Sequence, residues 1–387
     1  MRARVRARAS LYWVIMENHE QSHKTPYWRA EYQLEEKIFR YELLDSSLDA
    51  FHNMGVSVGS LGLCSREACG LMDVAICYSS EGGIWLQGRQ SCHSVSSCPV
   101  CSYNIGVHRV DELNLSIWCF RQFGFGVYLV TLTCHHTAEM SFNDLLLRLG
   151  LACNELFRMH EVRNFLKKLG MIGRITSYET MMLGENGYHP HYHILLIADE
   201  NLDVDYIGKW LLKYWIKCLD KFGLWCNEHG LDCLSYQGVA NYITKMASEL
   251  TLLNFKRSSG ESVTPFQCLK LYHDSKDMEI GKIWVNYCKA VKGKRILVWS
   301  RGLKNLAFTM HALLCKNLQH ENSRVYGLLH LNNWKDYKRL SPVQWQEIIR
   351  QIIRGNLDYV KELLNSVHIS NYINYNTLQR MRDEIDY

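Results

Sequence analysis

The five residues His189-Pro190-His191-Tyr192-His193 run straight into Ile194-Leu195-Leu196-Ile197-Ala198, and this segment constrains the chain more than any other. Side chains alternate faces along a strand, so His189, His191 and His193 point one way while Tyr192 and Ile194 point the other. Pro190 cannot donate to a ladder, which places it among the strand's first residues. The apolar continuation reads as a central strand. Imidazoles two residues apart on one face lie about 7 Å from each other, close enough to converge on one cation. A divalent cation also wants a carboxylate, and Glu179 on the preceding strand-like segment 174–183 is the candidate.

Register decides whether Glu179 can reach. A two-residue Asn186-Gly187 turn pairs position 179 with 194 and turns the carboxylate to the wrong face. Direct pairing of 179 with 191 needs an odd loop, closed by 183 and 187 or by 182 and 188, or else a bulge. His135 and His136, just after the strand-like run 127–134, are rival ligands.

Cysteine is the second constraint. Six of the fifteen cysteines (Cys64, Cys69, Cys77, Cys92, Cys98, Cys101) fall within 38 residues. The chain has 387 residues and an odd cysteine count, unlike a short secreted disulfide scaffold. A reducing compartment and a cytoplasmic location are expected. Cys98-Pro99-Val100-Cys101 is a knuckle that suits two of four tetrahedral zinc ligands, and Cys92 is the best third. The fourth is open among Cys69, Cys64, Cys77 and His93. A zinc deaminase is disfavoured because no His-x-Glu precedes the block, and a redox role fits poorly with six clustered cysteines. The other nine read as buried small hydrophobes.

Composition is that of a globular protein, 47% hydrophobic and 21% charged. No stretch reaches the roughly 18 apolar residues of a membrane span, and the start reads as lacking a secretory signal. The net charge of +5 does not by itself imply a polyanionic partner. Locally the picture differs: residues 281–304 hold Lys282, Lys289, Lys292, Lys294, Arg295, Arg301 and Lys304 with no acid, interleaved with Trp284, Tyr287 and Trp299. Such a pattern suits phosphate contact and base stacking on single-stranded DNA.

Along the chain, 1–55 reads as a basic arm (Arg2, Arg4, Arg6, Arg8) with some helix, 56–110 as a cysteine-rich zinc module, 111–305 as alternating strands and helices, and 306–387 as a helical C-terminal region. Ser141 with Asp144 marks a helix start. Residues 204–222 form an amphipathic helix, and Trp284–Cys288 and Ile296–Trp299 look strand-like. Val239, Ile243 and Met246 recur at helical spacing, which makes Tyr242 and Lys245 neighbours on one helix face. A cation beside a phenol favours phenolate, as a tyrosine nucleophile requires.

Three motifs in order, Thr131-Leu132-Thr133, His189-Pro190-His191-Tyr192-His193 and Tyr242-x-x-Lys245, resemble those of rolling-circle replication initiators of the HUH endonuclease superfamily. The cysteine block 88–101 and Trp299-Ser300-Arg301-Gly302-Leu303-Lys304 are also similar to segments of that family, and the likeness spans roughly 64–305. The resemblance implies an α+β fold: an HUH-type central antiparallel sheet flanked by helices, an N-terminal zinc-binding module and a helical C-terminal tail. It assigns His191, His193 and Glu179 to Mn²⁺ or Mg²⁺, with His189 a further candidate, and Tyr242 to nucleophilic attack with Lys245 positioning phosphate. It favours Cys69 beside Cys92, Cys98 and Cys101 for structural zinc. Lys289, Lys292, Lys294, Arg295 and Arg301 are expected to meet DNA. Single-stranded or extruded origin DNA is the implied partner, with a host helicase and polymerase and no membrane. Gly238 and Met246 depart from the pattern, standing where some relatives carry a second tyrosine or a glutamate. An HUH-type single-strand transposase would use the same residues, and a non-catalytic zinc-containing DNA-binding regulator is the contrasting reading.

Overall fold

The computed structural model describes residues 27–67, 74–79, 84–236, 262–314, 325–331, 357–367 and 372–373, with scattered positions between 340 and 351. In chain order the elements are helix α1 (Tyr27–Asn53), strands β1 (Val74–Ser79) and β2 (Ile84–Gln87), helix α2 (Pro99–Gln122), strand β3 (Phe125–Leu132), and helices α3 (Phe142–Arg158) and α4 (His160–Lys168). Strands β4 (Gly173–Gly184) and β5 (Gly187–Asp199) follow, then helix α5 (Val204–Lys221) and strand β6 (Leu231–Leu234). Helices α6 (Pro265–Ser275) and α7 (Met278–Val291), strand β7 (Leu297–Trp299), helix α8 (Leu303–Leu314), strand β8 (Val325–Leu331), helix α9 (Leu357–Ser366) and strand β9 (Tyr372–Ile373) complete the set. The fold is α+β.

The larger of two compact bodies comprises residues 40–58 and 93–318. Its core is a five-stranded antiparallel sheet in the order β6-β3-β5-β4-β7, with β5 in the middle. Ile194, Leu196 and Ala198 of β5 join Tyr128, Val130 and Leu132 of β3 under α3, α4 and α5. Leu195 and Ile197 face the other way and pack with Val127, Leu129 and Ile175 against α2 and α8. Helices on both faces explain why β5 is an unbroken apolar run rather than an alternating one. Burying each such side chain contributes about 1.5–3 kcal/mol, and Ile194 and Ile197 are fully buried.

The hairpin β4–β5 carries the bulge that the metal reading requires. Glu179 pairs with His191 and Met181 with His189, but Gly184 closes on Gly187, with a register shift between Met181 and Gly184. Met182 and Leu183 thus oppose the single residue Tyr188, and the extra residue flips the parity of the ladder. Leu183 takes a left-handed φ of 62° there. Met182 exchanges both backbone hydrogen bonds, each 2.8 Å, with Val263, which locks the bulge from outside. Gly187 has a φ of 76°, a conformation that favours glycine, and a Cβ there would also sit tightly, 3.2 Å from Ala138 Cα. The β3 ladder ends at Leu132–Tyr192, so Pro190 lies where only β4 flanks β5.

Two sequence readings are corrected. Trp284–Cys288 is not a strand but the centre of α7. Gly281, Trp284, Val285, Cys288 and Val291 are buried at helical spacing, and Asp277 caps the helix by accepting from the Glu279 N–H at 2.8 Å. Its aromatic and β-branched content suggested a strand, but the apolar period is helical. Residues 306–387 are also not wholly helical. β8 and β9 belong to a four-stranded sheet, β2-β1-β8-β9, in the smaller body drawn from residues 59–92 and 319 onward with the chain before residue 40. β8 pairs with β1, some 250 positions earlier, and no local pattern reveals so distant a partner. No helix among the described residues is long and apolar enough to cross a membrane.

Candidate metal centre

His191 and His193 project from one face of β5, and the direct pairing of Glu179 with His191 sets the carboxylate beside them. Both Nε2 atoms lie 3.0 Å from the same Glu179 oxygen, Oε2. The two rings are nearly perpendicular, 86° apart with centroids at 4.6 Å. The three side chains therefore aim one ligand atom each at a common point, all within 4.8 Å of one another. His191 and His193 are 8% and 9% exposed, so their donors are held against core rather than solvent.

The donor set fits a divalent ion, since two neutral imidazoles and a carboxylate supply nitrogen and anionic oxygen together. The surroundings help at one ring. Thr131 is the cross-strand partner of His193, and its Oγ1 lies 3.1 Å from His193 Nδ1. When Nδ1–H donates to that hydroxyl, Nε2 keeps its lone pair for the common point. Nothing in the sequence flagged Thr131 for this task, although it stands in the Thr-Leu-Thr run. Replacing it by valine, which keeps the shape and loses the acceptor, is expected to weaken Mn²⁺ binding about 10–100-fold, while Thr131→Ser holds it within about threefold, as read by isothermal titration. His191 Nδ1, by contrast, is buried with no hydrogen-bond partner among the described residues.

His189 lies on the same face but outside this group. Its Nδ1 is 3.3 Å from His136 Nε2, and its ring centroid is 5.4 Å from that of His191. His136 Nδ1 is 3.2 Å from the Cys134 carbonyl, which can only accept. His136 therefore carries its proton on Nδ1, accepts from His189 Nδ1–H at Nε2, and leaves His189 Nε2 as a lone pair. Burial, then the neighbouring His191 and His136, pushes His189 down to about 4, so it is a neutral imidazole near pH 7. His135 points elsewhere, stacking on Trp225 at 4.2 Å between centroids.

The sulfurs of Cys64, Cys92, Cys98 and Cys101 form a second group, again within 4.8 Å of one another. Four thiolates in a tetrahedron suit zinc. Cys98 caps α2 with Pro99 at the first helical position, and the Cys101 N–H points at Cys98 Sγ from 3.4 Å. The Cys92 N–H points likewise at Cys64 Sγ from 3.5 Å. Such donors favour the charged sulfur over the thiol. Cys69, favoured as the fourth ligand, lies outside the described residues; among the described residues it is Cys64, one of the alternatives, that stands with Cys92, Cys98 and Cys101. Cys64→Ser is expected to lower bound zinc from one equivalent per chain and to cut the unfolding midpoint sharply, whereas Cys69→Ser leaves both unchanged, as read by elemental analysis and thermal melts. The scattered cysteines behave as buried hydrophobes: burial pushes Cys134, Cys153 and Cys233 up to about 12, which keeps them protonated and inert.

The basic stretch divides. Lys289, Lys292, Lys294, Arg295 and Arg301 are exposed. Trp284 and Tyr287, read as stacking rings between them, are core residues at 0% and 5% exposure, and Trp284 Nε1 donates to Ser47 Oγ at 3.1 Å. Lys304 is paired with Glu112. Tyr242 and Lys245 lie outside the described residues.

The chain is similar to "Protein rep" of Streptomyces lividans. The two are 21% identical over 305 residues, covering 60% of this chain and 67% of that protein. No family model matches the chain, and no solved structure does.

Proposed function

We propose that this protein is a rolling-circle DNA replication initiator with an HUH-type nickase domain. The observation that carries the reading is the convergence of Glu179, His191 and His193 on one point, on the middle strand of a five-stranded antiparallel sheet. The likeness to a protein named for replication supports it.

In this reading Glu179, His191 and His193 hold Mn²⁺ or Mg²⁺, the imidazoles favouring Mn²⁺. The bound ion supplies Lewis acidity to a non-bridging oxygen of the scissile phosphate. Tyr242 provides the nucleophile. Its oxygen bonds to phosphorus as the P–O3′ bond breaks, the phenol proton is lost to solvent or a base, and the departing 3′-oxygen ends as a 3′-OH that primes synthesis. The product is a 5′-phosphotyrosyl link, and reversal by an incoming 3′-OH rejoins the strand without ATP. Lys245 stabilises the phenolate and contacts phosphate. The exposed residues Lys289, Lys292, Lys294, Arg295 and Arg301 bind the backbone of single-stranded or extruded origin DNA.

Tyrosines near the centre are poor rivals for the nucleophile. Burial holds the phenols of Tyr178, Tyr188 and Tyr192 well above the usual tyrosine range, and Tyr188 spends its proton on the Ile283 carbonyl at 3.0 Å. The test is a nicking assay on a single-stranded library with and without Mn²⁺. A covalent protein–oligonucleotide adduct that needs the metal supports the reading. Tight binding with no adduct under any metal would leave only the non-catalytic regulator.

A further inference from the structure

We propose that Trp225, stacked on His135, is a binding site for one unpaired nucleobase of single-stranded DNA, on the loop tied to the end of β3. The inference deepens the nickase reading by naming a residue that grips the substrate, and it rests on that reading for the nature of the ligand.

Trp225 is 57% exposed, in a protein whose Trp215 and Trp284 are fully buried. It is nonetheless held firmly. Its ring lies 4.2 Å from the His135 ring at an interplanar angle of 18°, a parallel stack. The His135 N–H donates to the Trp225 carbonyl at 2.8 Å, and the Thr133 N–H donates to the Gly230 carbonyl at 3.0 Å. These bonds tie the 225–230 loop to the chain leaving β3. Leu224 anchors the loop in the core at 3% exposure, and Arg148 Nη1 donates to the Gly223 carbonyl at 3.2 Å. An indole fixed in place and still largely in water is an ordered ring with aromatic surface to spare.

Its location names the ligand. His136, the next residue after His135, is 3.3 Å from His189, and His189 is adjacent to His191 of the metal centre. Cys226 is half-buried, and Asn227, Glu228 and His229, which follow Trp225 in the chain, are exposed and polar, unlike the broad apolar surface that suits a protein partner. A strand whose phosphate meets the metal centre carries a planar aromatic base on each of its units, and the open indole face offers one such base a place to lie. A base laid on Trp225 extends the imidazole–indole pair to three rings. Such stacking is worth about 1–3 kcal/mol per base and tolerates any sequence. It compensates for the loss of Trp284 and Tyr287 as stacking residues.

The test uses the full-length protein and a fluorescein-labelled (dT)20 oligonucleotide, with affinity read by anisotropy across a salt series. Trp225→Ala is expected to weaken binding about 5–150-fold, the range that such a stacking energy gives, with the slope of log affinity against log salt unchanged because phosphate contacts are intact. Trp225→Tyr is expected to recover most of the loss. An alanine variant that binds within about twofold of wild type overturns the proposal, as does a tyrosine variant no better than alanine, or a wild type that does not bind (dT)20. The nicking assay is scored separately. A wild type that binds (dT)20 through Trp225 but forms no adduct sinks the nickase reading and leaves the base site standing. Adduct formation with Trp225-independent binding does the reverse.

Discussion

Tyr242→Phe is expected to abolish the covalent protein–oligonucleotide adduct, a loss of more than about a thousandfold, because phenylalanine has no oxygen with which to form the phosphodiester link. Binding to the same oligonucleotide should hold within about twofold, since a single hydroxyl contributes little to a backbone-dominated affinity. That separation is the point of the experiment. A transcriptional or structural DNA binder would be indifferent to the change, while a nickase would keep its ligand and lose its chemistry. Peptide mapping of the wild-type adduct should place the phosphate on Tyr242. An adduct that survives in the phenylalanine variant, or maps to Tyr178, Tyr188 or Tyr192, would refute the assignment despite their buried, high-lying phenols.

The second large effect is at the carboxylate. Glu179→Ala removes the oxygen on which both imidazoles converge at 3.0 Å. It is expected to weaken Mn²⁺ binding by more than about a hundredfold, exceeding the penalty for removing an outer partner such as Thr131. Adduct formation should fall in parallel at low Mn²⁺ and recover partly at high Mn²⁺, because the two histidines still hold the ion weakly. His193→Ala should behave alike, and the double variant, left with one histidine, should lose the partial recovery at high Mn²⁺ as well. Full Mn²⁺ affinity in Glu179→Ala would show that the carboxylate is merely a hydrogen-bond acceptor for two histidines. Circular dichroism and a thermal melt guard against the trivial explanation that the sheet has come apart.

Much of this site was legible in the sequence because it is local. The alternation of His189, His191 and His193 placed the rings on one face, and the parity argument turned the position of Glu179 into a demand for an odd loop or a bulge. The bulge at Met182–Leu183 meets that demand. Cys98 and Cys101 were readable from knuckle spacing and Cys92 from its nearness to them, whereas Cys64 stands 28 positions before Cys92, with other cysteines between, and could only be one of several choices. What could not be read depends on contacts between distant elements. The bond from Thr131 to His193 spans 62 positions, and the stack of Trp225 on His135 spans 90. α7 misled for a different reason. Its tryptophan, valine and tyrosine are favoured in strands, but tertiary burial of one helical face overrode that preference.

The one-residue excess in the β4–β5 hairpin constrains how the gene can vary. With a two-residue turn, an odd number of residues between Glu179 and His191 keeps the two opposed only through a bulge, and an even number only without one. A single-codon deletion at Leu183 would take away the unopposed residue alone, leaving Met182 opposite Tyr188 and Glu179 still opposite His191, so the centre survives a trim that its length alone would seem to forbid.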